Sequence, residues 1–213
     1  MKTITSYVED WISINPFYAG LLSKDQINCS SLAREIKPII ESRVGNKISA
    51  ESIIVALNRA KHKLPAIAET NYSKYIGDLS VQSNLAVLTI PQTGLNEKEF
   101  LLAIANLHQK QEYCLHTRGV WHTALIGTDT TISNLAQKFA DSTIVEQNLA
   151  AITIRLKKGH LEVPGVCAYV LQLLAMRNIN LQEVTSSYDE LTLIIKAVDL
   201  SRTLDLLINT SAN

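Results

Sequence analysis

The sequence predicts an α+β protein in which a helical N-terminal segment precedes two repeats of alternating strands and helices. The main observation is the stretch 151–198, whose residue pattern indicates strand, glycine turn, helix, strand, tight turn and strand. A weaker copy of the same order lies about sixty-five residues earlier. The third observation is the helical spacing of apolar residues in the N-terminal segment.

The N-terminal segment is expected to form short helices. Apolar residues at helical spacing begin at Ile4, and Asn15-Pro16 ends this first helix before a short apolar turn. The polar residues 28–31 offer N-cap groups to the next helix, which Pro38 is expected to kink or divide. Ser49 can cap a further helix that carries several polar and basic residues.

The first repeat follows a predicted linker over 66–74. Its predicted elements are a strand over 84–91, a helix over 97–109, strands over 112–117 and 120–128 joined by a two-residue turn at Arg118-Gly119, a helix over 131–140 and a short strand over 144–149.

The second repeat has the clearest pattern. Its predicted elements are a strand over 151–157, a turn at Pro164-Gly165, a helix over 166–177, strands over 181–185 and 191–196, and a final helix over 200–208. Because the chain ends soon after that helix, the segment 76–81 is expected to supply the fourth strand of this sheet.

The order of these motifs resembles the ACT domain. The helix opens at VPGV (163–166), the second strand at NINLQEV (178–184), and SSYDELTLII (186–195) follows. The hairpin pattern SS-x-x-E-L-T is most similar to the regulatory ACT domains of aspartokinases. The earlier repeat resembles a degenerate ACT unit in which Gly94-Leu95 stands where Pro164-Gly165 stands in the second.

This resemblance implies two ferredoxin-like βαββαβ (ACT-type) units. Because the short N-terminal helices resemble a winged-helix-like head, the predicted fold class is α+β with a helical head followed by these two units. The predicted domains are 1–66 for the head, 67–148 for the linker and degenerate unit, and 149–213 for the second unit. Fold alone does not decide function, so a ligand-free ferredoxin-like module is the alternative.

The resemblance also implies an amino-acid ligand at an interface between units. The residues carried over are His160, Glu162, Pro164, Gly165, Val166, Asn180, Leu181 and Ser186. Free amides at a helix start can accept a carboxylate, Gly165 leaves space there, and Glu162 could meet an ammonium group. Each residue also has a structural explanation, for example turn formation by Pro164 and Gly165. The first unit lacks the proline-glycine pair and is expected to act as scaffold.

The helical head resembles a helix-turn-helix module, whose second helix would meet the major groove through its polar face. Residues 1–65 hold nine Lys/Arg and six Asp/Glu, a net charge of +3. The candidate nucleic-acid contacts are Lys47, Asn58, Arg59, Lys61 and Lys63. The alternative is a helical dimerisation or docking unit with a solvated basic face.

Catalysis is not expected. The sequence contains no GxxxxGK[ST], no GxGxxG after a strand, no GxSxG and no HExxH, and it has no kinase domain. We expect no cofactor and no metal, since the predicted hairpin register places His116 and His122 on opposite sheet faces. Three scattered cysteines, no apolar run of membrane-spanning length and no signal-peptide pattern predict a cytoplasmic protein.

The sequence therefore favours a non-catalytic regulatory protein. It would sense a small ligand, an amino acid, through the second ACT-type unit, assemble as a homodimer and act on DNA through its head. The alternatives are a regulatory or accessory subunit of an amino-acid biosynthetic enzyme and a ligand-free dimerisation module.

Overall fold

The computed structural model describes residues 2–64, 71–93, 95–139 and 143–211. The chain divides into two compact units, Met1–Thr70 and Asn71–Asn213, which we call the helical unit and the sheet unit. The predicted linker over 66–74 lies mostly outside the described residues, and its last part belongs to a 3-10 turn, Tyr72–Tyr75. The further division of the sheet-bearing residues at 148/149 stays a prediction.

Residues 2–64 form four helices around one apolar core. The helices are α1 (Ile4–Ser13), α2 (Pro16–Ser23), α3 (Cys29–Val44) and α4 (Ala50–Lys61). The predicted caps are confirmed, because the Asn28 side chain accepts from two backbone amides of α3 and the Ser49 hydroxyl accepts from the Ser52 amide. Their inward faces bring together Trp11, Ile36 and Leu57.

Three predictions for the helical unit need correction. Pro16 begins a helix rather than a turn, because its fixed φ suits the first helical position. Pro38 does not divide α3, because it lies on the exposed face, where the Arg34 carbonyl group that receives no N–H from Pro38 can bond to water. The alternative, a kink at Pro38, stays a prediction. Residues 2–64 contain no strand, so the β-wing of a winged helix is absent from this segment.

In its described residues, the sheet unit combines one antiparallel sheet of six strands with four α-helices. The strands are β1 (Ile76–Pro91), β2 (Leu115–Arg118), β3 (His122–Thr128), β4 (Ile144–Leu156), β5 (Leu181–Ser187) and β6 (Glu190–Lys196). The helices are α5 (Glu97–Gln109), α6 (Asp129–Lys138), α7 (Val166–Ala175) and α8 (Leu200–Ser211).

The strand order is β2-β3-β1-β4-β6-β5, so the two longest strands are central. The end of β1 pairs with the start of β4, as in Leu88 with Val145. The start of β1 pairs with the end of β4, as in Val81 with Ile152, which confirms the role predicted for the segment 76–81. The predicted separate strands at 76–81 and 84–91 are therefore one strand, as are those at 144–149 and 151–157.

Each long strand carries an asparagine in the left-handed region at its midpoint. Asn84 in β1 has φ 56° and Asn148 in β4 has φ 59°. The β1–β4 register shifts between Gln82 and Leu85, so the pairing is interrupted at this point. Asparagine tolerates this backbone conformation better than most side chains. The two irregularities divide the sheet into two halves. One half contains β2, β3, the end of β1 and the start of β4, and the other contains the start of β1, the end of β4, β5 and β6.

The two halves pack against different helices. Phe100 of α5 and Ile132 of α6 pack on Leu88 and Leu125, whereas Val170 of α7 packs with the second half of β4. A third buried cluster unites residues of both halves on the other face: Leu85, Val87, Ala124, Ile126, Leu149, Ala151 and Ile194. This cluster contains residues of β3, β1, β4 and β6, which are four neighbouring strands of the sheet.

The two hairpins differ from the predicted turns. Arg118 pairs with Thr123 and His116 with Leu125, so a four-residue loop replaces the predicted two-residue turn at Arg118-Gly119. The β5–β6 hairpin is tighter than predicted: Ser187 pairs with Glu190 across a Tyr188-Asp189 turn, in which Tyr188 has φ 50°. Gly94, which was aligned with the second-unit turn, lies outside the described residues.

Candidate functional site

A cleft of about 570 Å³ opens where β4 ends in the sheet unit. We call it the β4–α7 cleft, since the loop between these elements forms most of its wall. Its lining residues are Gly77, Asp78, Arg155, Leu156, Lys157, Lys158, Gly159, His160, Leu161, Glu162, Tyr188 and Asp189. Three chain segments thus meet here: the start of β1, the 155–162 segment and the β5–β6 turn.

Gly77 allows β1 to reach this cleft. A Cβ atom at this position would collide with the backbone carbonyl oxygen of Arg155 on β4. Lys157, just beyond β4, donates its backbone N–H to the Tyr75 carbonyl oxygen at 2.8 Å. The absence of a side chain at Gly77 therefore lets the two strands approach closely at the floor of the cleft.

His160 joins the loop to the β5–β6 turn. Its Nδ1 lies 3.0 Å from the Lys157 carbonyl oxygen and its Nε2 lies 3.0 Å from the Tyr188 carbonyl oxygen. Since both partners are acceptors, a protonated ring donates to both and a neutral ring to only one. The turn is held further by the Leu156 N–H, which donates to the Asp189 carbonyl oxygen at 2.6 Å.

The cleft presents charges of both signs. Arg155 and Asp189 form an ion pair at 3.4 Å. Lys157, Lys158, Asp78 and Glu162 have exposed side chains that make no ion pair within the described residues. The cleft can therefore supply a cation to a carboxylate and a carboxylate to an ammonium group of the same small molecule.

The predicted ligand residues separate into three places. His160 and Glu162 line the cleft. Pro164 and Gly165 contact Tyr72, whose hydroxyl donates to the Pro164 carbonyl oxygen at 3.4 Å. Gly165 has φ +102°, and a Cβ there would lie 3.2 Å from the Tyr72 hydroxyl oxygen. The space at Gly165 thus accommodates Tyr72, and the Val166 side chain is buried in the core.

The remaining three predicted ligand residues lie at the ends of β5. Asn180 is exposed just before the strand, and Leu181 packs against the core beneath α7. Ser186 is exposed and pairs with Leu191 near the hairpin turn. The lining of the β4–α7 cleft includes none of them.

Sequence reasoning missed the cleft residues that come from distant segments. Gly77 and Asp78 precede the rest of the cleft by many residues and reach it only through the pairing of β1 with β4. Tyr188 and Asp189 were expected in a turn, but no local pattern relates that turn to His160. Lys157 and Lys158 stand directly before the predicted loop. Their positive charges were therefore the one local feature that could have indicated a carboxylate-binding position.

The predicted nucleic-acid residues lie on α4 and the two loops beside it. Lys61 forms an ion pair with Asp25 at 2.6 Å, and Lys63 forms one with Glu9 at 2.7 Å. Lys47, Asn58 and Arg59 are exposed. Two of the four predicted cations are therefore partly neutralised by carboxylates of the same unit.

The residues considered for metal binding do not converge. The His116 ring packs edge-on against Phe100 at 5.4 Å between centroids, whereas His122 pairs with Pro91. In the described part of the chain, no three His, Cys, Asp or Glu side chains are grouped so that they could hold a metal ion. None of the described helices is both long and apolar enough to cross a membrane.

Solved structures with a similar fold are aspartate kinases. The enzyme from Clostridium acetobutylicum matches with a TM-score of 0.53 and 16% identity, over 64% of this chain and 35% of the kinase chain. Aspartokinase III from E. coli, bound to aspartate and ADP, matches with a TM-score of 0.52 and 18% identity, over 66% and 34%. This chain therefore spans about a third of the length of these two kinases.

A third matched chain is covered almost over its whole length by the matching part of this chain. A chain of the aspartokinase alpha and beta subunits matches with a TM-score of 0.51 and 14% identity, over 65% of this chain and 99% of that chain. No protein-family model matches the sequence, and no curated protein sequence is similar to it. At these identities the matches show an ACT-type fold, which confirms the predicted resemblance for the fold.

Proposed function

We propose that this chain is a non-catalytic regulatory protein that senses a small ligand, an amino acid, in the β4–α7 cleft. The observation that carries the proposal is the set of charged side chains in that cleft that form no ion pair within the described residues. Lys157 and Lys158 can hold a carboxylate, and Asp78 and Glu162 can hold an ammonium group. An α-amino acid carries both groups close together.

The start of α7 supports the same ligand class. No side chain caps α7 at Gly165, so the first amides of the helix have no side-chain acceptor. These amides can donate hydrogen bonds to a ligand carboxylate. The partial positive charge of a helix N-terminus also favours a carboxylate at this position. We keep Pro164, Gly165 and Val166 in the proposed site because they form the backbone at the start of α7. Ser186, close to the β5–β6 turn, stays in it as an outer rim, whereas Asn180 and Leu181 lie at the opposite end of β5 and are not part of this proposal.

Sensing requires a response to the bound ligand. His160 connects the wall of the cleft to the β5–β6 turn, so a ligand that holds Glu162 or Lys158 changes the position of both segments. We place this response in a homodimer, in which binding favours one of two arrangements of the subunits.

An accessory subunit of an amino-acid biosynthetic enzyme is the second candidate. It is favoured by the match that covers 99% of a chain in the structure of aspartokinase alpha and beta subunits. In this case the helical unit docks onto a catalytic chain. We assign no DNA contact to this unit, because Lys61 and Lys63 already have carboxylate partners. Co-purification with a kinase chain distinguishes this candidate from a free-standing sensor.

A thermal-shift screen of the full chain against the twenty proteinogenic amino acids tests the proposal. A ligand that binds the folded state stabilises it by about 2.7 kcal/mol at a hundredfold excess over its dissociation constant. Lys158→Gln and Glu162→Gln are expected to abolish the shift, because each removes one charge from the cleft. Lys110→Gln, an exposed lysine just after α5, is the matched control and is expected to retain it.

Gly165→Val is not a suitable variant for this test. Valine is strained at φ +102°, and its side chain would displace Tyr72, so the folded state itself would lose stability. A flat screen with all twenty amino acids contradicts the proposed function. A shift that persists in both cleft variants contradicts the proposed location.

A further inference from the structure

A second cavity, of about 490 Å³, lies between α7 and α8 on the outer face of the sheet unit. We call it the α7–α8 cleft. Its lining residues are Ser73, Tyr169, Leu173, Arg177, Arg202, Asp205, Leu206, Asn209 and Thr210. The lining shares no residue with the β4–α7 cleft. The resemblance to ACT domains also assigned no role to these residues.

The lining groups follow a definite order along the cleft. Tyr169, Leu173 and Arg177 recur every four residues and so lie along one face of α7 and its end. Arg202 donates from Nη2 to the Asn178 carbonyl oxygen at 3.4 Å, so the end of α7 lies beside the start of α8. Arg177 and Arg202 thus mark one end of the cleft. Asp205 follows one helical turn after Arg202.

The middle and the far end of the cleft have a different character. Leu173 and Leu206 give an apolar surface beyond the arginines. The far end is formed by Tyr169, Thr210 and Ser73. The Tyr169 ring is held by stacking on Tyr72, with 5.4 Å between centroids and 28° between planes. The cleft therefore has a charged end, an apolar centre and an uncharged polar end with a fixed aromatic wall.

Two opposite charges in this cleft lack partners. The exposed side chains of Arg177 and Asp205 make no hydrogen bond or ion pair within the described residues. Arg202 is held by Asp199 at 2.6 Å, which leaves part of its guanidinium free to donate. With Asp199 included, the charged end has two cations and two anions. A ligand of net charge zero that carries both signs suits this end better than a simple anion does.

We propose that the α7–α8 cleft is a second amino-acid site. The ligand carboxylate binds the Arg177 guanidinium, whose planar fork suits a carboxylate. Its ammonium group binds the Asp205 carboxylate, and its side chain lies over Leu173 and Leu206. This site goes beyond the proposed function, since it needs neither Lys158 nor Glu162. A chain with both sites binds two ligand molecules.

Calorimetric titration of the full chain with each of the twenty amino acids tests this site. Arg177→Gln and Asp205→Asn are each expected to weaken one binding event at least about tenfold, or to remove it. The analogue of the binding amino acid that lacks the ammonium group, and the analogue that lacks the carboxylate, are expected to lose that event. Both substituted side chains are exposed and unpaired, so the variants keep the melting temperature of the ligand-free protein.

Two controls separate this site from the β4–α7 cleft. Gln172→Ala, at an exposed position of α7, is expected to leave every binding event unchanged. Lys158→Gln is expected to spare the event that Arg177→Gln removes. Binding that is lost in Lys158→Gln and unchanged in both Arg177→Gln and Asp205→Asn overturns the second site while it supports the first. Binding of the deaminated analogue with equal affinity also overturns it, as does the absence of any binding.

Discussion

Glu183 lies half-buried on β5, where burial and then the nearby Glu146 carboxylate raise the pKa of its carboxyl group above the ordinary value of 4.5. The folded chain therefore holds this proton to a higher pH than the unfolded chain does. It follows that the contribution of Glu183 to the free energy of unfolding falls as the pH rises above about 4.5.

Glu183→Gln is expected to stabilise the protein at pH 7, because glutamine is neutral and carries no cost of burying charge. The difference from the parent is expected to shrink as the pH falls toward 4.5, where the parent carboxyl is increasingly protonated. Urea unfolding of the parent and of Glu183→Gln at pH 7 and at pH 4.5 measures this difference in the free energy of unfolding. Glu146→Gln is the companion variant, expected to stabilise in the same direction by removing the neighbouring charge. A destabilised Glu183→Gln at pH 7 contradicts the argument.

Single residues also show how far the candidate site could be read from the sequence. His160 and Glu162 were predicted because they stand next to a recognisable turn and helix start. Tyr72 could not be predicted beside Gly165, because their contact joins residues far apart in the chain. Asp78 reaches the cleft only through the pairing of β1 with β4. Local pattern thus identified the loop but not the residues that face it.

At the scale of elements, the midpoint of β1 determines how one strand serves two halves of the sheet. Asn84 has φ 56° where the pairing with β4 shifts register. A β-branched residue is strained in this conformation, and we expect Asn84→Val to lower the free energy of unfolding by about 1–3 kcal/mol. Asn84→Gly is expected to be nearly neutral, since glycine adopts this conformation readily.

Chemical denaturation monitored by circular dichroism measures both Asn84 variants. Ser80→Val, at an exposed position of the same strand outside the left-handed region, is the matched control and is expected to change stability little. Equal losses in Asn84→Val and Ser80→Val would show that strand composition, rather than backbone conformation, sets the cost.

The elements themselves were predictable to different degrees. The helix over 97–109 was predicted with its observed bounds, because its apolar face and its cap are local features. The continuity of β1 and β4 was not, since Asn84 and Asn148 resemble strand ends in sequence. The β2–β3 register was also wrong, because Gly119 lies at the start of a four-residue loop. Pairing between strands depends on distant partners, which periodicity does not report.

At the scale of the whole molecule, the two units have cores with no residue in common. Trp11 and Ile36 belong to the core of the helical unit, and Ile152 belongs to a core of the sheet unit. Residues that pack in one core unfold together as a cooperative unit. Because each unit has its own core, the two units are expected to unfold in separate transitions. The change from helical to strand periodicity predicts a domain boundary near residue 66.

Ile36→Ala tests the separation. It is expected to destabilise the helical unit by about 2–5 kcal/mol, because it leaves a cavity at a fully buried position. Trp121 is 77% exposed, so Trp121→Phe gives a background in which Trp11 is the only tryptophan and reports the helical unit. The Trp11 fluorescence transition is expected to shift to lower denaturant, while hydrogen exchange in β1 and β4 keeps its protection.

The reciprocal variant Ile152→Ala completes the test, since Ile152 is equally buried in the sheet unit. It is expected to reduce exchange protection in β1 and β4 and to leave the Trp11 transition in place. If either substitution moves both signals by the same amount, the two units form one cooperative structure. A ligand bound to the sheet unit would then also stabilise the helical unit, whereas with separate transitions it stabilises the sheet unit alone.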